Sequence, residues 1–215
     1  MSTCCSTYGD VAGAHFNEVM ARRDLAGYRK KGPGPTTRLL RDLLVQTCRL
    51  EGVLLDVGCG IGALTFELLE RGIGHAIAVD ASPAYLAVAT EEAVRRGCAD
   101  AVTFSEGDFL EIASSIPPAT VVTLDRVICC YPSFEPLLNE SLRHAEHCFA
   151  FSYPRDVWYV RAALAVENVR RRLRRNPFRT FVHPADRMTQ LIRNAGFRLA
   201  ARRQSWLWSV DVCVR

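Results

Sequence analysis

Three alternating glycines directly follow an acidic residue near the end of an apolar segment. The segment is Val53–Val57, the acid is Asp56, and the glycines are Gly58, Gly60 and Gly62. Glycine lets the backbone turn sharply at a strand end and lets a ligand approach main-chain atoms closely. A helical pattern begins immediately after the last glycine. This arrangement predicts a site for an adenosine-containing cofactor at the carboxyl edge of a parallel sheet, rather than a tight turn without a ligand.

Two classes of cofactor fit a glycine-rich turn between a strand and a helix. Gly58, Gly60 and Ala63 satisfy the dinucleotide fingerprint G-x-G-x-x-G/A, and Asp80 lies about 20 residues further on, as that fingerprint requires. Asp56 favours the other class, because a carboxylate at this position suits an ammonium or a sulfonium better than a pyrophosphate. A nicotinamide-dependent oxidoreductase therefore stays as an alternative.

The tract Leu55–Gly62 resembles the first motif of the class I S-adenosylmethionine (SAM) dependent methyltransferases, D-x-G-x-G-x-G. Motif-level resemblance to this family runs from about residue 51 to residue 152. It implies SAM as cofactor and S-adenosylhomocysteine as product. It also implies that the cofactor lies on the glycine loop, formed by Asp56, Gly58, Cys59, Gly60 and Gly62. A more distant likeness to magnesium-protoporphyrin O-methyltransferases involves residues 126–132 and 206–215.

The resemblance assigns roles to acids after the next two predicted strands. It implies that Asp80 accepts hydrogen bonds from both ribose hydroxyls and that Ala81 lies beside the adenine. It likewise implies that Asp108 accepts from the adenine amino group and that Phe109 packs on the ring. The alternatives are that Asp80 favours a helix N-terminus and that Asp108 is a turn residue.

The methionine end of the cofactor is assigned to the fourth strand and to the N-terminal segment. The resemblance implies that Asp125 and Arg126 lie near the methionine portion of SAM. The methionine carboxylate also needs a donor, and the candidates are Tyr28, Arg29 and Lys30. The alternative for these three residues is an ordinary solvated surface.

Methyl transfer from a sulfonium needs alignment and exclusion of water, and it needs a general base only when the acceptor holds a proton of high pKa. The candidate catalytic residues are Tyr131, His183 and Arg126. For His183, capping of a helix or packing against the lid is the alternative. We expect the acceptor to contact Tyr153, Arg155 and Arg179, where a planar guanidinium suits a carboxylate. Ion pairs within the same segment are the alternative for the two arginines.

Apolar segments alternate with helical patterns along most of the chain. They predict one α/β domain over residues 1–215, with an N-terminal lid at 1–35 and a helical cap insert at 156–181 before the sixth strand. The resemblance implies a Rossmann-like three-layer sandwich around a seven-stranded, mostly parallel sheet with an antiparallel last strand. Strands are predicted at 53–57, 75–80, 101–105, 120–125, 147–153, 198–205 and 206–215.

The composition restricts the environment and the partners. The formal charge is +4 and there are nine cysteines without a C-x-x-C pair, so we expect free thiols and no metal site. No apolar run has the length of a membrane span and no signal pattern opens the chain, so we expect a cytoplasmic protein, monomeric or homodimeric.

Besides the nicotinamide-dependent oxidoreductase, three functional alternatives stay open on the sequence. The leading one is a SAM-dependent methyltransferase that acts on a small molecule, on oxygen. We do not expect nucleic acid as a partner, but arginines at 170–175 keep an RNA or protein methyltransferase as an alternative. A non-catalytic SAM-binding subunit is the third.

Overall fold

The computed structural model describes residues 11–13 and 15–215. Seven strands form one sheet: β1 Val53–Val57, β2 His75–Asp80, β3 Val102–Glu106, β4 Ala119–Leu124, β5 Ala145–Pro154, β6 Arg198–Gln204 and β7 Trp208–Val214. The helices used below are α1 Glu18–Lys31, α2 Pro35–Thr47, α3 Ala63–Leu69, α4 Pro83–Arg96, α5 Phe109–Ile112, α6 Phe134–His144, α7 Trp158–Leu173 and α8 Ala185–Asn194.

The strand order is β3-β2-β1-β4-β5-β7-β6. Strands β1 to β5 pair in parallel, whereas β7 runs antiparallel to both β5 and β6. The order reverses between β1 and β4, and ligands of open α/β sheets bind outside the carboxyl ends of the strands at such a point. The predicted fold class is confirmed, including the antiparallel last strand and the helical insert before β6.

Apolar strands explain why helices cover both faces of the sheet. Leu54 and Leu55 of β1 point to opposite faces, and both are fully buried. Leu54 packs with the helices α2, α3 and α4, whereas Leu55 packs with α6 and α8. The central strands are therefore held rigidly, and the loops at their carboxyl ends have fixed positions.

The N-terminal segment contains the helix α1, residues Glu18–Lys31, with Asn17 as its N-cap. A side-chain oxygen of Asn17 accepts from the backbone N–H of Met20, which satisfies one free donor of the first turn. Residues 1–10 and 14 of the predicted lid lie outside the described residues.

The helix α2 begins at Pro35, with Gly34 as its N-cap. Proline suits the first helical position because its fixed φ is helical and its missing N–H has no partner there. Thr37 consequently lies inside the first turn, where its hydroxyl is free to serve the site described below.

The cysteine prediction was wrong at one pair. Cys48, which follows α2, forms a disulfide with Cys148 of β5. Cys59, Cys98, Cys129, Cys130 and Cys213 are free, and the pair Cys4–Cys5 lies outside the described residues. Sequence spacing carries no sign of the pairing, since α2 reaches β5 only in the tertiary fold.

The cap follows β5. Its long helix α7 begins at Trp158 and ends at Leu173, within the insert predicted at 156–181. Within residues 11–13 and 15–215, no helix combines the length and the apolar character needed to cross a bilayer.

Candidate functional site

The glycine loop adopts a backbone that only glycine accepts without strain. Gly58, Gly60 and Gly62 have φ angles of 69°, 57° and 76°. At Gly58 the neighbouring chain also excludes a side chain, since an added Cβ would lie 2.4 Å from a methyl group of Val127. The loop after β1 therefore packs tightly against the loop after β4.

Asp80, at the end of β2, ties the glycine loop to the neighbouring strand. Its carboxylate accepts from the backbone N–H of Gly60 at 2.7 Å and of Ser82 at 2.8 Å. Burial raises the pKa of the Asp80 carboxyl, and the two amide donors oppose that rise. The predicted ribose-binding acid is thus held at the edge of the loop.

Asp56 is buried more deeply than the sequence suggested. Its two oxygens accept from the hydroxyls of Thr65 and Thr123, each at 2.7 Å. Burial raises the pKa of Asp56 to about 7, although both hydroxyls favour the ionised form. The carboxyl therefore changes charge near neutral pH.

Asp125 follows β4 and is held by two hydroxyls from distant parts of the chain. Thr37 of α2 donates to one oxygen at 2.6 Å, and Ser152 of β5 donates to the other at 2.7 Å. The next residue, Arg126, has a φ of 63°, and its backbone N–H donates to Ser152. Strain of this kind in a non-glycine residue concentrates at functional sites.

Asp108 follows β3 and is nearly fully buried. Its Oδ1 accepts from the Tyr131 hydroxyl at 2.7 Å and from the Leu110 backbone N–H at 3.0 Å. Its Oδ2 is buried without a hydrogen-bond partner among the described residues. A buried acceptor of this kind is costly unless a ligand supplies the donor. Phe109, the expected adenine contact, packs edge-on against His144 at 5.3 Å.

Two cavities of about 610 and 510 Å³ lie on either side of the glycine loop. Tyr28, Asp56, Cys59 and Thr37 line the first cavity. The second is lined by residues expected to face the adenosine and by residues of the N-terminal segment and the cap, among them Asp80, Ala81, Phe109, Tyr131, His15, Phe16, Leu164, Arg171 and Phe178. Both cavities share Asp24, Gly58, Gly60, Tyr85, Asp125 and Arg126. The two spaces together form one elongated site.

Two of the three lid candidates for the methionine carboxylate lie away from the cavities. Arg29 pairs with Glu91 and Glu92, and Lys30 does not line either cavity. The Tyr28 hydroxyl lies at the wall of the first cavity, 3.3 Å from a carboxylate oxygen of Glu67. Burial raises the pKa of Tyr28, so the phenol stays protonated. Among the described residues, the cations that line this cavity are Lys31, Arg38 and Arg126.

The structure does not bring His183 to either cavity. Its Nε2 lies 3.1 Å from the carbonyl oxygen of Ile128 and 3.0 Å from that of Tyr131, so this nitrogen carries the proton and donates. The ring secures the loop that carries Tyr131. The Tyr131 hydroxyl itself donates to Asp108, so neither expected base presents a proton acceptor to the cavity.

The three residues expected to bind the acceptor also lie outside both cavities. Tyr153 donates to Asp211 at 3.0 Å, and burial raises its pKa to about 12. Arg155 donates to the Tyr159 hydroxyl and to the carbonyl of Ser205. Arg179 donates to the carbonyls of Asn176 and Phe178. These interactions join β5 to β7, link the start of the cap to the turn between β6 and β7, and hold the end of the cap.

Sequence reasoning missed His15, which lines the second cavity and stacks on Phe178 with 4.2 Å between ring centroids. The Oδ1 of Asn176 accepts from the backbone N–H of Phe178, so its amide nitrogen faces His15 Nδ1 at 2.9 Å. Nδ1 is then an acceptor, and the proton of the neutral ring lies on Nε2. Burial and the nearby Arg171 lower the pKa of His15. No local motif marks this residue, since its role depends on the cap.

The described side chains form no cluster of three or more His, Cys, Asp or Glu residues that suits a metal ion. Carboxylates instead lie at or just after the carboxyl ends of four adjacent strands, at Asp56, Asp80, Asp108 and Asp125. Acids placed in this way suit hydroxyl and amino donors of a ligand.

Residues 54–148 match the family model described as a methyltransferase domain. The match spans less than half of the chain, and over these residues the chain is similar to methyltransferase domains. The match covers β1 to the first part of β5, which includes the glycine loop and all four strand-end acids. The predicted resemblance to methyltransferases is thus confirmed over these residues.

Relatives of this methyltransferase domain have different acceptors. A probable cobalt-precorrin-6B C(15)-methyltransferase of Methanothermobacter thermautotrophicus is 34% identical over 96 residues, which is 43% of this chain and 48% of the relative. A ribosomal protein L11 methyltransferase of Pelotomaculum thermopropionicum is 38% identical over 80 residues, 37% of this chain and 26% of the relative. The chain therefore spans about half or less of the length of these curated relatives.

A solved structure extends the likeness over most of the chain. Magnesium protoporphyrin IX methyltransferase of Synechocystis PCC 6803, crystallised with bound S-adenosylhomocysteine, superimposes with a TM-score of 0.69 at 18% identity. The superposition covers 84% of this chain and 82% of that chain. The fold that surrounds the methyltransferase domain is thus the class I fold, including the terminal β6–β7 hairpin.

Proposed function

We propose that this protein transfers a methyl group from SAM to a small molecule, on a carboxylate oxygen of the acceptor. The observation that carries the proposal is the elongated site around the glycine loop, which shares Asp125 and Arg126 between its two cavities. The volumes are of the order that cofactors and small ligands need. The methyltransferase domain and the S-adenosylhomocysteine bound by the Synechocystis enzyme support SAM as the cofactor.

The residues of the second cavity fit the adenosine part of SAM. Asp108 is not itself in the cavity wall but lies between the lining residues Gly107 and Phe109, and its unpartnered Oδ2 suits an amino donor such as that of adenine. Asp80 would accept from the ribose hydroxyls, and Ala81 and Phe109 would lie against the base. Asp56 lies at the first cavity, where Tyr28, Lys31 and Arg38 would hold the methionine end. SAM supplies an electrophilic methyl group on a good leaving group.

The protein's part in the reaction is to position the acceptor and exclude water. Neither of the two expected bases, Tyr131 and His183, offers a proton acceptor to the cavity, which favours an acceptor that is already nucleophilic. A carboxylate meets this condition without a base. Arg126 and Arg171 lie in the wall of the second cavity, where their guanidinium groups would hold the anion. The His15 Nε2–H would add one further donor.

The cap favours a small acceptor over a protein or an RNA. His15 and Phe16 from the N-terminal segment and Leu164 and Phe178 from the cap line the second cavity opposite the sheet. A space covered on this side suits a small planar or amphipathic acid, and aromatic walls suit its apolar part.

Calorimetric titration with SAM, S-adenosylhomocysteine and NADH tests the cofactor. We expect micromolar binding of the first two and none of NADH. The variant Asp80→Ala should lose about ten- to hundredfold in affinity, because it removes a charged acceptor for the ribose. The exposed Asp100→Ala is the matched control. Absence of SAM binding by the folded protein overturns the proposal.

The acceptor class needs a separate test. Aromatic and amphipathic carboxylic acids, and their amides as controls, are incubated with the protein and methyl-labelled SAM. We expect base-labile methyl esters from the acids only, with turnover lowered by Arg171→Gln and unchanged by the exposed Arg143→Gln. Label on the amides, or on RNA or ribosomal protein instead, contradicts a carboxylate acceptor.

A further inference from the structure

The helix α7 has two faces of different character. Its inward face contacts the rest of the protein through Val160, Leu164, Asn168 and Arg171. On the opposite side, spaced by three or four residues, lies an apolar row that we call the outward stripe: Trp158, Ala162, Val166, Val169 and Leu173. Trp158 and Leu173 are each 80% exposed, although burial of such side chains is strongly favourable.

The outward stripe continues into the turn between β6 and β7. Trp206 is 74% exposed, and its neighbour Leu207 is also exposed. The Tyr159 ring lies 5.1 Å from the Trp206 ring and 5.8 Å from the Trp158 ring, so the turn and the start of α7 form one aromatic cluster. A contiguous exposed apolar surface of this kind marks a site of interaction.

Arginines flank the outward stripe on both sides. Arg161 and Arg172 lie along one border and Arg170 along the other, as the helical period requires. Arg174 and Arg175 follow at the basic carboxyl end of α7. Within the described residues, Arg172, Arg174 and Arg175 take part in no ion pair. The acidic residue of α7, Glu167, is half-buried and pairs with Arg170 and Arg171. The occupant of this face is therefore apolar at its centre and anionic at its borders.

We propose that the outward stripe and its flanking arginines dock the protein on an anionic lipid surface. An apolar row with arginines and tryptophan at its borders is the pattern of helices that lie in the membrane interface. Apolar side chains enter the acyl boundary, and the guanidinium groups contact lipid phosphates. A second copy of this chain would bring like charges together, and RNA would leave the valines and Leu173 uncovered.

Vesicle sedimentation tests the docking surface without cofactor or acceptor, so its result is independent of the proposed methyl transfer. We expect binding to phosphatidylcholine vesicles that contain phosphatidylglycerol, weaker binding to pure phosphatidylcholine, and a decrease with salt. Arg170→Gln with Arg172→Gln should lower the partition coefficient about tenfold, since each basic residue near an anionic surface adds to binding. Val166→Ser with Val169→Ser should lower it comparably.

Matched controls lie elsewhere on the surface. Val94→Ser removes a valine that is 64% exposed on α4, and Arg143→Gln removes an arginine on α6. Both should bind vesicles like the unchanged protein, and circular dichroism should show that all variants fold. Trp fluorescence should shift to the blue on binding and lose this shift in Trp158→Ala with Trp206→Ala.

The proposal is overturned if the protein does not bind vesicles, or if the stripe variants bind them as well as the unchanged protein does. It is also overturned if light scattering without vesicles shows a dimer that depends on the outward stripe. RNA binding that is lost in the arginine variant and kept in the valine variant would likewise overturn it.

Discussion

Single carboxylates carry most of the predicted chemistry of this protein, and each is specialised by its partners. Asp80 is held by two backbone N–H groups, Asp125 by two hydroxyls, and Asp56 by two threonines in a fully buried place. Asp108 differs because one of its oxygens is buried without a partner. Residue type and spacing predicted these four positions, but only the surrounding contacts show which of them awaits a donor.

The variant Asp108→Asn tests the role of the unpartnered Oδ2 of Asp108. The amide keeps an acceptor for the Tyr131 hydroxyl but presents a donor where Oδ2 was. We expect the affinity for S-adenosylhomocysteine to fall about tenfold, in line with the loss of one charge-assisted hydrogen bond. S-inosylhomocysteine, which carries a carbonyl in place of the amino group, should bind the variant better than the unchanged protein. Equal losses for both ligands in calorimetry would mean that this side chain does not contact the base.

The raised pKa of Asp56 predicts how the free energy of unfolding depends on pH. Its pKa in the folded protein is about 7, above the ordinary 3.8, so the native state keeps a proton that the unfolded chain releases. The resulting stabilisation is complete below about pH 4 and is lost as pH rises to about 7. Relative to Asp56→Asn, the unchanged protein should lose free energy of unfolding over this window. If urea titrations show that the free energy of unfolding of the two proteins changes with pH in parallel, the raised pKa of Asp56 is contradicted.

At the scale of elements, loops at the strand ends are held by contacts between neighbours. The loop after β1 is packed against the loop after β4, and Gly58 leaves no space for a methyl group there. The strand and the following helix could be predicted locally, because periodicity and glycine spacing identify both. The contact with Val127 could not be, since it depends on which strand lies next to β1.

Gly58→Ala should destabilise the protein more than an alanine at another glycine that has the same backbone conformation. Gly58 and Gly97 have φ angles of 69° and 70°, but an added Cβ has nothing within 4 Å at Gly97. We expect about 1 kcal/mol of destabilisation at Gly97 and about 3 kcal/mol at Gly58, where a steric clash adds to the strain. Urea unfolding measures both. Val127→Ala should recover part of the loss in the Gly58 variant, whereas equal costs at the two sites would argue against the clash.

At the scale of the whole molecule, two links join the N-terminal helices to the sheet. Thr37 of α2 reaches Asp125 at the site, and Cys48 after α2 is bonded to Cys148 of β5. Both links hold α2 against the face of the sheet beside the first cavity. The helix that contributes a wall of the site is therefore attached covalently to the core.

Removal of the disulfide should lower stability without a change in fold. The bridged residues are 100 positions apart, and closure of a loop of this length contributes about 3–5 kcal/mol. We expect this loss for Cys48→Ala, and for the unchanged protein in dithiothreitol, by urea unfolding. Cys98→Ala, which removes a free thiol, is the control. An unfolding midpoint that dithiothreitol leaves unchanged would mean that the bridge adds no stability.

The sequence by itself determined the α/β class, the glycine loop and the acids near the carboxyl ends of β1 to β4. These features are encoded locally, by apolar runs, by residues that tolerate a positive φ and by acids at or just after the end of a strand. Only the tertiary structure placed His15 and Arg171 at the second cavity. It also directed the side chains of Arg155 and Arg179 to backbone carbonyl groups outside both cavities. The same holds for the Cys48–Cys148 bond. Long polar side chains and cysteines find partners among whatever elements pack beside them, and that packing is set by the whole core rather than by the neighbouring residues.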